Sequence, residues 1–304
     1  MIIGKRFYPF ELKYKRMSER LKIYHATSLC LRCNHKLEEA KSSEEMRLNM
    51  DYGLIGEKLG HSYSKIIHEQ LTDYQYEIHP LSKEEFPLFM EKKNFKAINV
   101  TIPYKCDVIP YLDVIDEKAK KIGAVNTIVN DNGKLTGYNT DYDGFYYTLV
   151  KSQINVKGKK VLVLGNGGAA LAVLAVLKTL GAGQIIIVKY KEEAGCITYQ
   201  QAKEQHFDAS IIVNTTPVGM YPNCDISPID LTPYQNLEAV VDVIYNPLTT
   251  KLLAEASERN IKAVNGLWML VAQAKYAVEH FKDCKLSDNL IDPIYQKVEA
   301  LLKK

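Results

Sequence analysis

Val161-Leu162-Val163-Leu164-Gly165-Asn166-Gly167-Gly168-Ala169-Ala170 decides the fold. Residues 160–164 read as a buried strand that runs straight into a glycine-rich turn, and a small-residue, apolar stretch follows as far as Leu180, closed by Gly181. The order is strand, tight turn, helix, with G-x-G-x-x-A spacing, which is the pattern of a dinucleotide-binding βα unit. Gly165 permits the turn, Gly167 lets the backbone approach a pyrophosphate, and Ala170 lets the helix lie close to the strand. The helix N-terminus then faces the phosphates. The spacing alone would carry little; the strand before it and the helix after it give it meaning.

C-terminal to this unit, residues 184–188, 209–213, 239–243 and 262–264 read as further strands alternating with helices and loops. That alternation predicts a doubly wound parallel sheet. Residues 266–282 and 293–303 read as closing helices. The second strand ends in Val188-Lys189-Tyr190-Lys191, and the first acid comes at Glu192. An NAD site usually offers an acid there to hold the ribose hydroxyls. Lys189 and Lys191 in its place favour the 2′-phosphate of NADP.

N-terminal to the unit, polar side chains stand where short apolar runs give out: Asn99, Thr101, Lys105, Asn126, Asn139, Thr140 and Asp141. A lysine and an aspartate among amides and hydroxyls suit a small polyhydroxylated ligand and a proton transfer. Residues 64–71, 83–92 (capped by Ser82) and 116–122 (closed by Gly123) read as helices. Residues 96–102 read as a strand stopped by Pro103. Residues 124–130 and 134–138 read as a hairpin around Asp131-Asn132-Gly133, and residues 143–150 as a helix leading into the next domain.

The chain has 304 residues, 46% of them hydrophobic and 25% charged, as in an ordinary globular protein of two domains. Residues 1–49 carry 11 Lys+Arg against 6 Asp+Glu, whereas the remainder is slightly acidic. The near-neutral body argues against a nucleic-acid surface. The most apolar region, residues 161–188, is broken by five glycines and Lys178, so no membrane span is expected. Six scattered cysteines read as reduced cytoplasmic thiols rather than a disulfide framework. Residues 1–49 are expected to be an extension outside the catalytic fold, disordered in part or translated from an upstream start with Met46 or Met50 as the alternative initiator. Within it His25, Cys30, Cys33 and His35 cluster, but the spacing matches no common zinc finger, so no metal is expected.

The ordered motifs GLIGEKLGHSYS (53–64), NVTIPYK (99–105), GAVNTI (123–128), NTD (139–141), GNGGAA (165–170), NTTPVGM (214–220), DVIYNPL (242–248) and GLWMLVAQA (266–274) resemble the shikimate dehydrogenase family. The resemblance covers nearly all of the chain after the extension. It implies an α/β fold with an N-terminal substrate domain, a Rossmann-type NADP domain and C-terminal helices packing back on the first. The expected boundaries are 50–149 with 267–304 for the substrate domain and 150–266 for the dinucleotide domain. It also implies NADPH-dependent reduction of 3-dehydroshikimate to shikimate, a step of aromatic amino-acid biosynthesis, by a cytoplasmic monomer or homodimer whose partner is a small-molecule substrate.

Carried over by position, the resemblance makes Lys105 and Asp141 the catalytic pair. Ser62 and Ser64 would hold the substrate carboxylate, as two hydroxyl donors on one face of an extended segment. Thr101, Asn126 and Gln273, with Asp141, would bind the ring hydroxyls, and Tyr245 would line the cleft. Cofactor contacts are implied for Gly165, Asn166, Gly167, Gly168, Ala169, Ala170, Lys189, Lys191, Asn214, Thr215, Thr216, Val243 and Gly266. Departures concentrate on the cofactor side. Val188-Lys189-Tyr190 stands where the family has Asn-Arg-Thr, and residues 191–209 are short, which should thin one helix. Tyr104 stands where histidine is frequent. An NAD-using quinate/shikimate dehydrogenase therefore remains the alternative, with a non-catalytic metabolite sensor behind it.

Overall fold

The computed structural model describes residues 50–60 and 62–303. The extension, with its cysteine and histidine cluster, lies outside the described residues.

The first sheet holds β1 (Tyr52–Gly56), β2 (Glu77–Pro80), β3 (Ala97–Val100), β4 (Val114–Ile115), β5 (Thr127–Asp131) and β6 (Lys134–Tyr138), in the order β2-β1-β3-β5-β6-β4. Strands β2, β1 and β3 run parallel, and β5 is antiparallel to both of its neighbours, β3 and β6. The hairpin turn uses Asn132 and Gly133 at φ 51° and 93°, the two positive values that a type I′ turn demands. Helices α1 (Ser64–Leu71), α2 (Glu85–Lys92) and α3 (Glu117–Ile122) connect these strands. Helix α2 begins two residues later than expected, although Ser82 does cap it: its Oγ accepts from the Glu85 N–H, and Glu85 returns a carboxylate to the Ser82 N–H.

Helix α4 (Thr140–Lys151) leads to the second sheet: β7 (Lys160–Leu164), β8 (Gln184–Lys189), β9 (Cys196–Thr198), β10 (Ile211–Asn214), β11 (Ala239–Asp242) and β12 (Lys262–Val264). Every pairing is parallel and the order is β12-β11-β10-β7-β8-β9, the doubly wound arrangement. Strand β7 is buried on both faces. Val161 and Val163 pack under α4 and α5 (Gly168–Thr179), and Leu162 and Leu164 under α6 (Tyr199–Gln205) and α7 (Lys251–Glu258). Burial of each such side chain contributes roughly 1.5–3 kcal/mol, which is why an unbroken apolar run rather than alternation marks this strand.

The expected shortening is real. Only residues 190–195 join β8 to β9, and they hold no helix. Parallel neighbours usually need a long crossover. Here β9 is three residues long and starts level with Ile187, so the chain drops by only two residues before pairing again. At roughly 3.3 Å per residue that is a return of about 7 Å, which a turn can make.

The chain closes with α8 (Leu267–Lys282) and α9 (Ile291–Leu302), which pack with Ile67 of α1 in one apolar cluster. The C-terminal helices thus return to the first half of the fold, as expected. Among the described residues, no helix is long and apolar enough to cross a membrane.

Candidate active site

Strand β3 ends at Val100, and the chain turns back through residues 101–108. Two anchors hold this turn. Tyr104 is buried, stacks on Phe86 with ring centroids 4.2 Å apart, and donates its hydroxyl to the Leu81 carbonyl at 2.7 Å. The Lys105 carbonyl accepts from the Val125 N–H at 2.8 Å. Tyrosine at position 104 therefore fastens the loop that presents the neighbouring lysine.

Lys105 Nζ lies 2.5 Å from Asp141 Oδ2, with 12% and 8% of the two side chains exposed. Asp141 is the second residue of α4, where the helix dipole favours an anion. Asn139 caps that helix by accepting from the Tyr142 N–H, and its own amide donates to the Ala124 carbonyl at 2.8 Å. Asp141 takes one of the three ammonium N–H donors of Lys105, which leaves the others for a ligand.

Asn126 sits beside this pair, 3% exposed. Its Oδ1 accepts from the Thr140 N–H at 2.7 Å. A backbone N–H only donates, so the carboxamide orientation is fixed. Its Nδ2 approaches Thr140 Oγ1 at 3.1 Å and keeps a second hydrogen for a ligand. Gln273 stands on α8 where Gly144 lets α4 and α8 meet: a Cβ on Gly144 would lie 2.6 Å from the Met269 carbonyl and 3.0 Å from Gln273 Cβ. Gly144 is one turn beyond Asp141, so Gln273 belongs to the same end of α4. Thr101 lies just past β3, its N–H bonded to the Ile55 carbonyl at 2.9 Å.

The serines differ from expectation. Ser64 is the first residue of α1, preceded by Tyr63 at φ −91°, ψ 0°, so the pair spans a helix start and not an extended segment. Ser62 Oγ accepts from the Ser64 N–H at 3.3 Å, the local bond that a serine at a helix entry makes. Tyr245 follows β11 and meets Tyr63 edge to face at 6.2 Å. Burial, with the Tyr63 phenol adding to it, pushes its hydroxyl up to about 12, so it stays protonated.

The glycine turn lies where the strand order reverses, between β7 and β10. Gly165 has φ 99°, and a Cβ there would come within 2.9 Å of both Thr215 and Thr216. Gly167 precedes α5 and has open space around it, the clearance that a pyrophosphate requires. Ala170 is fully buried among Val163, Val173 and Val213, whereas Ala169 is half-buried and Asn166 is exposed. Gly168 faces the other way: a Cβ on it would lie 3.2 Å from Lys105 Cδ. The lysine stem therefore lies directly on the glycine turn.

Beside the turn, Asn214 Oδ1 accepts from the N–H and hydroxyl of Thr216, and Thr215 donates its hydroxyl to the Leu164 carbonyl. Gly266 allows a close approach to Val243, whose carbonyl would lie 2.0 Å from a Cβ there. At the far end of β8, Lys189 pairs with Glu193, which holds its ammonium above the usual lysine range, chiefly through their hydrogen bond. Lys191 is exposed, as is Tyr190 at 91%.

Of the residues expected from the sequence, the structure pairs Lys105 with Asp141, sets the Lys105 stem against Gly168 and bonds Asn126 to Thr140, the neighbour of Asp141. It sets Lys189 and Lys191 apart, at the end of β8 and in the turn that follows it. Two features escaped the sequence reading: the Lys105–Gly168 contact, and the buried Asp242. The latter is bonded to Asn214, Thr250 and the Ile244 N–H, and burial pushes it up to about 6. The aspartate at the end of an apolar strand was a signal for the second; nothing local signalled the first. Among the described residues, no group of histidine, cysteine and acidic side chains could hold a metal ion.

Comparison with known proteins agrees with this fold. Residues 54–128 match the family model described as the shikimate dehydrogenase substrate binding domain. A Clostridium beijerinckii shikimate dehydrogenase (NADP(+)) is 41% identical over 83% of this chain and 99% of its own length. Shikimate dehydrogenase 1 of Peptoclostridium difficile superposes with a TM-score of 0.78 at 36% identity, over 83% of this chain and 99% of that one. The Thermus thermophilus shikimate 5-dehydrogenase, solved with NADP(H) and shikimate, gives 0.73 at 28% identity, over 82% of this chain and 99% of that one. With a relative of that identity spanned from end to end, the chain belongs to the shikimate dehydrogenase family.

Proposed function

We infer that this protein is an NADP-dependent shikimate dehydrogenase, which reduces 3-dehydroshikimate reversibly to shikimate in aromatic amino-acid biosynthesis. One observation carries the reading at the chemical level: the buried Lys105–Asp141 pair is pressed against the glycine turn. A lysine stem against the turn that suits a pyrophosphate supports Lys105 as the proton donor. The relatives named for this activity support the same reading.

The open backbone at Gly167, the start of α5, and the polar loop Asn214–Thr216 suit a dinucleotide. When bound, its nicotinamide would supply the hydride. The chain's own residues do the rest. Charge that builds on the ketone oxygen is met by the Lys105 ammonium, which hydrogen-bonds it and hands over the proton. Asp141 accepts one of its N–H bonds and aims it. Asn126, with its amide fixed by Thr140, donates to a ring hydroxyl, and Thr101 and Gln273 are read as the other hydroxyl ligands. The hydroxyls of Ser62 and Ser64 are read as carboxylate donors, since Ser62 Oγ only accepts in its local bond and keeps its proton for a ligand, and Tyr245 as a wall of the cleft. Lys189 and Lys191 are read as the 2′-phosphate ligands, with Val243 and Gly266 against the nicotinamide.

We take residues 50–149 with 267–304 as the substrate lobe and 150–266 as the cofactor lobe. The two separate sheets and the return of the chain through α8 support the division. We place the enzyme in the cytoplasm as a monomer or homodimer. A steady-state assay crossing shikimate and quinate with NADP and NAD tests the whole reading. The highest kcat/KM is expected for shikimate with NADP; a higher value for quinate with NAD would replace the assignment, and no turnover on any pair would end it.

A further inference from the structure

A chain of buried hydrogen bonds runs from the far side of the first sheet to Asn126. Tyr76, fully buried just before β2, places its hydroxyl 2.7 Å from Asn99 Oδ1. Asn99 Nδ2 lies 3.2 Å from the Asn126 carbonyl and 3.1 Å from Thr127 Oγ1. Thr127 Oγ1 lies 3.0 Å from Asn126 Oδ1 and 3.1 Å from Thr140 Oγ1.

The donor directions follow from valence. The Asn126 carbonyl only accepts, so the Asn99 atom facing it is the nitrogen. The other amide atom of Asn99 is then the oxygen, and Tyr76 must donate to it. Asn99 in turn donates to Thr127, whose single hydroxyl proton has two destinations. It goes to Asn126 Oδ1 directly, or to Thr140 Oγ1, whose own proton then goes to Asn126 Oδ1 at 3.2 Å. Both arrangements end on the same oxygen. Every bond points the same way, and bonds so aligned polarise one another inside a protein.

We propose that Tyr76, Asn99 and Thr127 are positioning residues that act through Asn126: they draw charge toward its oxygen and strengthen its remaining N–H as a donor to a substrate hydroxyl. The proposal rests on the reading of Asn126 as a substrate ligand. A hydrogen bond of equal strength in the ground and transition states appears in KM and not in kcat.

The test is a double-mutant cycle on shikimate kinetics at saturating NADP, using Tyr76→Phe, Asn126→Ala and the double variant. Tyr76→Phe is expected to raise the KM for shikimate about 3- to 10-fold, with kcat within about twofold and the KM for NADP unchanged. In the Asn126→Ala background the same substitution should add nothing. An equal rise in both backgrounds would show that Tyr76 acts by another route and would overturn the proposal. So would an unchanged KM in Tyr76→Phe alongside a raised KM in Asn126→Ala. An unchanged KM in Asn126→Ala removes Asn126 from the substrate site and the proposal with it, an outcome distinct from the other two. Should Tyr76→Phe fail to fold, Thr127→Val breaks the relay at its midpoint and Thr127→Ser restores the hydroxyl. The raised KM should appear in the first and be rescued in the second, and absence of that rescue would count against the relay.

Discussion

At the residue scale, the tightest constraint on the chemistry is the contact between Lys105 and Gly168. A methyl group on Gly168 would press on the lysine stem at 3.2 Å, tighter than ordinary packing, and a flexible stem answers by moving. Misplacement of a reacting group by about 1 Å can cost roughly 100-fold in rate. Gly168→Ala is therefore expected to lower kcat about 10- to 100-fold while leaving thermal stability near wild type. Lys105→Ala removes the proton donor outright and should cost about 10²- to 10⁴-fold in kcat. It also strands Asp141, only 8% exposed, without its cation, so its melting temperature should fall too. Steady-state kinetics beside thermal melts separate the two. A Gly168→Ala enzyme with wild-type kcat would mean that the lysine tolerates the turn's shape.

At the scale of elements, α4 is where the two halves of the fold meet. Its first turn carries Asp141, its apolar face puts Phe145 and Leu149 under the second sheet, and Gly144 admits the backbone of α8. Alanine is the better helix former by about 1 kcal/mol, but here its methyl would meet the Met269 carbonyl at 2.6 Å, and a backbone atom cannot step aside cheaply. Overpacking of this kind costs about 1–3 kcal/mol. Gly144→Ala should therefore lower the urea midpoint and raise the KM for shikimate by shifting Gln273; a stabilised variant would mean that the helices part without penalty. The β8–β9 connection makes the second element-scale prediction. Glu193 occupies Lys189, so Glu193→Gln should free that ammonium and raise the ratio of kcat/KM with NADP to that with NAD by several-fold. A ratio that stays put, or falls, would remove Lys189 from cofactor choice. These elements also show what the sequence made legible. Strand β7 and helix α1 were read to the residue, because an unbroken apolar run and a helix with apolar residues on one face leave clear patterns. Strands β2 and β9 were missed, as was the two-residue edge strand β4. The first two are also edge strands, four and three residues long, with half-exposed side chains and no alternation to betray them. The Lys105–Asp141 pair was legible through motifs, whereas the Gly168 contact joins residues 63 positions apart and leaves no trace in either neighbourhood.

At the scale of the whole molecule, two buried groups set opposing pH dependences. His68 is fully buried between Tyr74 and Tyr76, and burial holds its imidazole at about 3 instead of 6.5. Below pH 6.5 the unfolded chain takes a proton that the folded chain refuses, so stability falls with falling pH by about 1.4 kcal/mol per unit. Asp242 behaves in the opposite sense. Burial raises it from 3.8 to about 6, so the folded chain keeps a proton that the unfolded chain has lost. Its contribution falls as pH rises through that window, by up to about 3 kcal/mol in all. Between about pH 4 and pH 6 the two slopes have equal size and opposite sign, and together they add almost no pH dependence. Each substitution should therefore unmask the other. Asp242→Asn mimics the protonated acid and can keep all three hydrogen bonds, since the Thr250 hydroxyl can turn to accept. Relative to wild type, its stability should rise by about 3 kcal/mol from pH 4 to pH 6. His68→Phe keeps the stack on Tyr76 but cannot titrate; relative to wild type it should gain a similar amount as pH falls from 6.5 to 4, offset by a constant loss from the Tyr74 hydroxyl bond. Urea titrations at four pH values across that range read both difference curves. If the Asp242→Asn curve runs parallel to wild type, the aspartate is ionised throughout, and its three hydrogen bonds outweigh its burial.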